Sequence, residues 1–146
     1  PPSVTSIGKG AFRKCSSLES ISIPSSVIII NSDSFKGCSS LKHIIIPSSV
    51  TSIEKYAFAE CSKLEQITIP SSVTLIGNSA FYKCISLKKI SIPESVTSIG
   101  DYAFYECSSL TQITIPSSIT SIGSNVLRGC SSLMKISKPN SLKLNM

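Results

Sequence analysis

Hydrophobic and polar positions along this chain repeat with a period of 23 residues. Numbered from its proline, each repeat follows the pattern P-x-S-V-T-S-I-G-x-x-A-F-x-x-C-S-S-L-x-x-I-x-I. The cysteines mark the period without exception: Cys15, Cys38, Cys61, Cys84, Cys107 and Cys130. A fixed period of this length is typical of a repeat solenoid, in which each repeat forms one coil and buries its apolar side chains by stacking on the next.

The repeats predict one domain over residues 1–146, which fits the chain length. Its units are 1–23, 24–46, 47–69, 70–92, 93–115 and 116–138, followed by a partial repeat at 139–146. We expect the domain to be a piece of a longer protein. We also expect an uncapped edge on the first coil, through which copies could associate weakly.

Each part of the repeat predicts one element. Leu-x-x-Ile-x-Ile alternates as a strand with its isoleucines inward, and the following proline ends it. Val-x-x-Ile predicts a short second strand, closed by a glycine expected to adopt a positive φ, as at Gly8, Gly77, Gly100 and Gly123. Ala-Phe-x-x-Cys predicts one helical turn, capped by Asp33, Ser79, Asp101 or Ser124. The fold class is therefore a mainly β solenoid with short helical turns and parallel sheets, and its crossovers should be right-handed.

Charged residues also follow the period. Glu19, Lys42, Glu65 and Lys88 alternate at one position, and Glu60, Lys83 and Glu106 at another. In-register stacking would place these opposite charges one above the other. The charges therefore predict that residues 23 apart are neighbours in space.

The unit IPESVTSIGDYAFYECSSLTQI, residues 92–113, resembles the BspA-like leucine-rich repeat family, and the resemblance covers nearly the whole chain. It implies a leucine-rich-repeat superhelix, display at the cell surface or secretion, and adhesion in host–pathogen interaction. The chain departs from the commoner leucine-rich pattern because serines stand where that pattern has its asparagine ladder: Ser3, Ser26, Ser49, Ser72, Ser95 and Ser118.

Composition and charge disfavour several classes of function. The net charge of +6 is spread along the chain, and no aromatic-basic motif accompanies it, which disfavours nucleic-acid binding. No apolar stretch approaches the length of a membrane span, and we expect any targeting segment of the longer protein to lie outside this chain. Carboxylates alternate with lysines or stand alone, so the sequence predicts no enzyme, no catalytic residue and no cofactor.

The cysteines predict a ladder of buried free thiols. Equivalent residues in stacked coils point in parallel, whereas a disulfide needs facing Cβ vectors. No Cys-x-x-Cys spacing indicates zinc. Disulfides and a metal remain the less favoured alternatives.

Leucine-rich solenoids usually bind through their concave sheet. Its predicted outward residues are polar and neutral to basic, which suits an acidic protein or a glycan, although a merely solvated face is an equal alternative. The candidate ligand-binding residues are Ser20, His43, Ile45, Gln66, Thr68, Lys89, Gln112, Thr114 and Lys135.

Two irregular features could add contacts. Ile28, with Ile45, predicts an exposed apolar patch. Tyr82, Tyr102 and Tyr105 fall on adjacent turns, where packing between coils is favoured over a role as interface anchors.

The leading functional hypothesis is a non-enzymatic binding module of a cell-surface or secreted protein, with a protein or glycan partner on host matrix or cells. The alternative is an intracellular scaffold that uses the same solenoid. A remote alternative is an ice-binding solenoid, because one threonine column runs along the short-strand side: Thr5, Thr51, Thr74, Thr97 and Thr120.

Overall fold

The computed structural model describes residues 3–144, which form a solenoid of parallel strands. The predicted repeat start at Pro1 and the end of the partial repeat lie outside the described residues. Each repeat is one coil, numbered 1–6 from the N-terminus. The coils contribute a longer and a shorter strand in turn: β1 (Ser20–Ser22), β2 (Ile29–Ile30), β3 (His43–Ile45), β4 (Ser52–Ile53), β5 (Gln66–Thr68), β6 (Leu75–Ile76), β7 (Lys89–Ser91), β8 (Ser98–Ile99), β9 (Gln112–Thr114), β10 (Ser121–Ile122) and β11 (Lys135–Ser137).

Strand pairing confirms the predicted register. The short strands form one parallel sheet in the order β10-β8-β6-β4-β2, and the long strands pair as β11-β9-β7-β5 and as β1-β3. Partners are 23 residues apart throughout, as in Ile67 with Ile90 and Ile90 with Ile113. The long-strand side has one interruption, between β3 and β5, where no ladder is formed.

Identical side chains stack on one another to form the core. The rings of Phe12, Phe35, Phe58, Phe81 and Phe104 lie parallel at 5.4–5.5 Å between centroids. The phenylalanines and leucines of the middle coils are fully buried, with the strand isoleucines beside them. A single coil cannot enclose these side chains, so the fold depends on stacking.

The segment from Ala to Cys is not a helical turn, and that prediction is wrong. Alternate N–H groups donate to the next coil rather than along the chain: Tyr56 N to Asn78 O at 3.0 Å, and Phe58 N to Ala80 O at 2.8 Å. The remaining N–H groups bond within the coil to the carbonyl three residues earlier, such as Ala57 N to Glu54 O at 3.2 Å. In an α-helix each N–H would donate to the carbonyl four residues earlier in the same segment, whereas here every second N–H donates to the next coil.

In every coil two residues have left-handed backbone, with φ between 55° and 81°: one directly before the Ala-to-Cys segment or its equivalent, and one directly before the Cys. They include Gly37 and Gly129, but also Tyr56, Glu60 and Glu106. The predicted helix caps act differently as well, because Asp101 Oδ1 accepts the backbone N–H of Ser124 in the next coil at 2.8 Å.

The glycines that follow the short strands do not adopt positive φ, so their predicted role is also wrong. At Gly77 a Cβ atom would lie 2.7 Å from Lys55 N and 2.8 Å from Glu54 C. Gly77 is therefore required because the backbone of coil 3 passes directly against it. Asn31 and Glu54 occupy the equivalent places in coils 2 and 3, so the requirement depends on the coil beneath.

In the serine column that runs from Ser3 to Ser118, some hydroxyls form hydrogen bonds to the previous coil. Ser49 Oγ donates to Val27 O at 2.6 Å and Ser118 Oγ to Val96 O at 2.7 Å, each joining one coil to the coil before it. The hydroxyls of Ser72 and Ser95 are buried without a hydrogen-bond partner, so the serine column joins only some of the neighbouring coils.

Candidate functional site

The outward side of β1, β3, β5, β7, β9 and β11, here called the long-strand face, carries every predicted ligand-binding residue. Alternation along each strand turns the middle residue inward and the two flanking residues outward. Both outward columns are exposed except at Ser137, which is half-buried, and in the same last strand the middle residue Ile136 is exposed. The exposed residues are Ser20, His43, Ile45, Gln66, Thr68, Lys89, Gln112, Thr114 and Lys135. The structure places these side chains together, and ligand binding by them stays a prediction.

Ion pairs border the face where the sequence predicts stacked charges. Lys42 Nζ lies 3.5 Å from Glu19 and Lys88 Nζ lies 3.9 Å from Glu65. Lys83 pairs with Glu106 at 3.9 Å on the turn side. All these side chains are largely exposed, so each pair stabilises the fold by less than about 1 kcal/mol.

A hollow lies at the interruption between β3 and β5. Backbone bonds from Lys88 N to Glu65 O and from Lys42 N to Glu19 O join other neighbouring coils, and the described residues have no such bond from Glu65 N to Lys42 O. The hollow beside this break has a volume of about 340 Å³ and is lined by Lys42, His43, Lys63, Glu65 and Ser86. Sequence reasoning missed it, because the repeat pattern continues unchanged across the break.

Ile45 is the most exposed apolar residue on the long-strand face, with 82% of its surface in contact with solvent. It lies beside the same break, in a second hollow with His43, Gln66 and Thr68. Ile28 is also exposed, at 48%, on the short-strand side. The sequence identified both residues as outward-facing, but they lie on different sides of the solenoid, so the single apolar patch predicted from Ile28 with Ile45 is not formed.

A cluster of four tyrosines covers the turn side of coils 3–5. Tyr82 stacks on Tyr105 with 5.1 Å between ring centroids, and Tyr56 and Tyr102 meet these two rings edge-on. Lys36 Nζ lies 4.6 Å from the centroid of the Tyr56 ring. The packing between coils expected of these tyrosines is observed for Tyr82 with Tyr105, whereas Tyr102 contacts Tyr105 within its own coil and is exposed.

Sequence reasoning missed Tyr56 because it occupies a different position in its repeat from Tyr82, and its ring reaches across to the next coil. Searching for aromatic residues 26 apart would have found the pair.

All six cysteines are free thiols. Cys61, Cys84 and Cys107 donate from Sγ to the carbonyl oxygens of Phe35, Phe58 and Phe81 at 3.1–3.2 Å. Burial raises the pKa of the Cys38 and Cys130 thiols to about 11 and raises that of Cys84 well above its ordinary value. Thiols held neutral in this way are poor nucleophiles and poor metal ligands.

The threonine column takes part in stacking as well. The hydroxyl of Thr120 donates a hydrogen bond to the carbonyl oxygen of Thr97 at 3.2 Å, and that of Thr74 donates to the carbonyl oxygen of Thr51 at 3.3 Å. These hydroxyls therefore have partners within the solenoid. Among residues 3–144 no group of three or more potential metal ligands is found. That part of the chain also contains no helix long and apolar enough to cross a membrane.

A family model described as "BspA type Leucine rich repeat region" matches residues 1–86 and 51–145, in six copies. The chain belongs to the BspA-type leucine-rich repeat family. The resemblance read from the repeat is thereby confirmed. No curated protein matches the chain.

Solved structures of bacterial leucine-rich repeat proteins share the fold. A leucine-rich repeat protein from Bacteroides ovatus is 39% identical with a TM-score of 0.92, over 97% of this chain and 37% of that one. A leucine-rich cell surface protein from Faecalibacterium prausnitzii is 40% identical with a TM-score of 0.87, over 94% and 37%. The pneumococcal vaccine antigen PcpA is 30% identical with a TM-score of 0.77, over 94% and 36%. This chain thus spans little more than a third of the length of each of these relatives.

Proposed function

We propose that this solenoid is a non-enzymatic binding module of a cell-surface or secreted protein, and that it binds its partner through the long-strand face. One contrast carries the proposal. Inward columns repeat almost the same residue in every coil, whereas the outward column reads Ser20, His43, Gln66, Lys89, Gln112 and Lys135. Stacking explains the uniform columns, and it places no demand on the varied outward one.

The geometry of the face supports the same function. Its strands present side chains on a rigid parallel sheet, and a preorganised surface loses little entropy on binding. The family consists of repeat proteins, and two of the similar structures are described as a cell surface protein and a vaccine antigen. The partner is a protein or a glycan of host matrix or of another cell.

The test measures adhesion of the purified chain to immobilised extracellular matrix and to whole cells. Ser91→Trp with Thr114→Trp places bulk on the long-strand face, and we expect it to reduce binding at least tenfold. Thr74→Trp with Thr97→Trp places the same bulk on the exposed threonine column and should leave binding unchanged. Equal binding by both variants would refute a role for the face.

Location requires a separate measurement. Antibodies against the chain should label intact cells of the source organism. Labelling that requires permeabilised cells would contradict the surface assignment and support the intracellular scaffold. Weak self-association through the edge of coil 1 stays a prediction, to be measured by sedimentation.

A further inference from the structure

Basic residues on the long-strand face and along its border recur every second coil. Coil 2 carries Lys42 and His43, coil 4 carries Lys88 and Lys89, and coil 6 carries Lys135. Coils 3 and 5 have no basic residue at the two equivalent positions. Coil 3 has Glu65 and Gln66 there, and coil 5 has Thr111 and Gln112. The face therefore has a period of two coils, twice the structural repeat.

Ion pairing leaves part of this charge uncompensated. Lys42 and Lys88 are paired with Glu19 and Glu65. Within the described part of the chain, Lys89 and Lys135 on the face and Lys63 at the hollow form no ion pair and are exposed.

Their spacing along the solenoid follows from the strand register. Lys89 pairs with Gln112 and Gln112 with Lys135 in consecutive parallel strands. With adjacent strands about 4.8 Å apart, the two lysines are separated by about 9.6 Å along the solenoid axis. One strand spacing is close to the advance of a single sugar ring in an extended polysaccharide.

The polar side chains beside and between these lysines suit a polysaccharide. Gln66 and Gln112 present side-chain amides, and Thr68, Ser91 and Thr114 present hydroxyls along a parallel exposed column. Amides and hydroxyls both donate and accept hydrogen bonds, as sugar hydroxyls do.

We infer that the long-strand face binds a linear anionic polysaccharide that lies along the solenoid axis, with a charged group on every second sugar. This inference rests on the proposed function and names its partner. Lys89 and Lys135 contact successive acidic groups, Gln112 contacts the neutral sugar between them, and Gln66 contacts the neutral sugar on the other side of Lys89.

An acidic peptide fits the face less well. An extended peptide repeats its side chains about every 6.6–6.8 Å on one side, which does not match a period of about 9.6 Å. Strand addition, one mode of peptide binding, is closed at β7 and β9, because both strands have ladder partners on both sides.

The test uses three oligosaccharides of equal length: hyaluronan with a carboxylate on alternate sugars, oligogalacturonate with one on every sugar, and uncharged chito-oligosaccharide. Poly-glutamate serves as the peptide probe. We expect hyaluronan to bind most tightly. Lys89→Gln with Lys135→Gln should weaken that binding about fivefold to tenfold, and Lys9→Gln with Lys55→Gln, remote from the face, should not.

A charge-neutral rearrangement tests the spacing itself. Lys89→Gln with Gln112→Lys keeps the net charge and moves one positive charge by a single coil. We expect the weakening of hyaluronan binding to match that of the double lysine variant, with affinity for oligogalacturonate retained or raised. Unchanged hyaluronan binding would overturn the two-coil spacing.

The failure of this inference can be told apart from failure of the proposed function. If the chain binds matrix through the long-strand face, yet hyaluronan neither binds nor competes, the polysaccharide inference is overturned and the binding module stands. Binding of poly-glutamate alone would have the same meaning. If the chain binds neither matrix nor cells, the proposed function itself fails.

Discussion

Left-handed residues in the turn segments show how tertiary contacts override local preference. Glu60 has φ of 60° at a position where coils 2 and 6 have Gly37 and Gly129. A residue with a Cβ loses roughly 1–2 kcal/mol in this region. The bond from Glu60 N to Tyr82 O at 2.7 Å holds the backbone there.

Glu60→Gly should therefore increase the free energy of unfolding by up to about 1 kcal/mol, since relief of strain exceeds the added entropy of the unfolded chain. Urea denaturation measures the change. Glu60→Ala keeps the strain and should alter stability by less than about 0.5 kcal/mol. A loss of stability in the glycine variant would contradict this account.

Each buried cysteine is also joined by a hydrogen bond to a phenylalanine of the previous coil. The carbonyl of Phe58 accepts both the backbone N–H of Cys61 at 3.3 Å and the thiol of Cys84 in the next coil at 3.1 Å. The sequence predicted a buried thiol column, and the second hydrogen bond explains why a polar small residue suits the position.

At the scale of the element, close contact between coils decides where glycine is needed. The short strand β6 is followed by Gly77, whose α-carbon faces the backbone of Glu54 and Lys55. Gly8, at the equivalent place in coil 1, has no atom within 4 Å of an added Cβ. The same residue type therefore serves different needs in the two coils.

Gly77→Ala should lower the free energy of unfolding by about 1–3 kcal/mol, because backbone atoms cannot move aside for the methyl group. Gly8→Ala is the matched control and should be neutral or stabilising by about 0.4–1 kcal/mol. Thermal or urea denaturation of both variants checks the difference. Equal effects would mean that the clash is relieved by shifts between coils.

The break between β3 and β5 belongs to the same scale. Both strands are complete, and β3 pairs normally with β1 and β5 with β7. The strands themselves are regular, and the contact between coils 2 and 3 is altered on its long-strand side, while the short strands β2 and β4 pair normally. The hollow with Lys63 and His43 results from this altered contact.

Across the whole molecule, the thiol column ties stability to pH. Burial holds the pKa of Cys38 and Cys130 at about 11, above the ordinary value of 9.0, and raises the pKa of Cys61, Cys84 and Cys107 as well. In the unfolded chain these thiols ionise from about pH 9, whereas in the folded chain they stay neutral. Unfolding then releases protons, so stability is complete below pH 9 and falls as the pH rises from 9 to 11.

Urea denaturation under reducing conditions at pH 8, 9, 10 and 11 should show this decline. Cys38→Ser with Cys130→Ser should make it shallower by up to about one proton per thiol removed. Every other titratable side chain is unchanged in the variant, so the difference in slope reports the two thiols alone. An identical slope in both proteins would show that the two thiols do not contribute.

The sequence by itself determined which residues are neighbours and which side chains point inward. A period of 23 residues places Ile67, Ile90 and Ile113 in one column, since only in-register stacking buries every apolar column at once. The two outward columns of the long-strand face, from Ser20 to Lys135, follow from the same alternation.

Only the tertiary structure decided how one coil meets the next. The left-handed turns, the close approach at Gly77, the hollow beside His43 and the contact of Tyr56 with Tyr82 all depend on backbone bonds and side-chain contacts between coils. Periodicity fixes which coils touch, but it does not specify which donor of a turn reaches across to the neighbouring coil. That choice is made by packing of the assembled stack, because one coil alone has no partner for those groups.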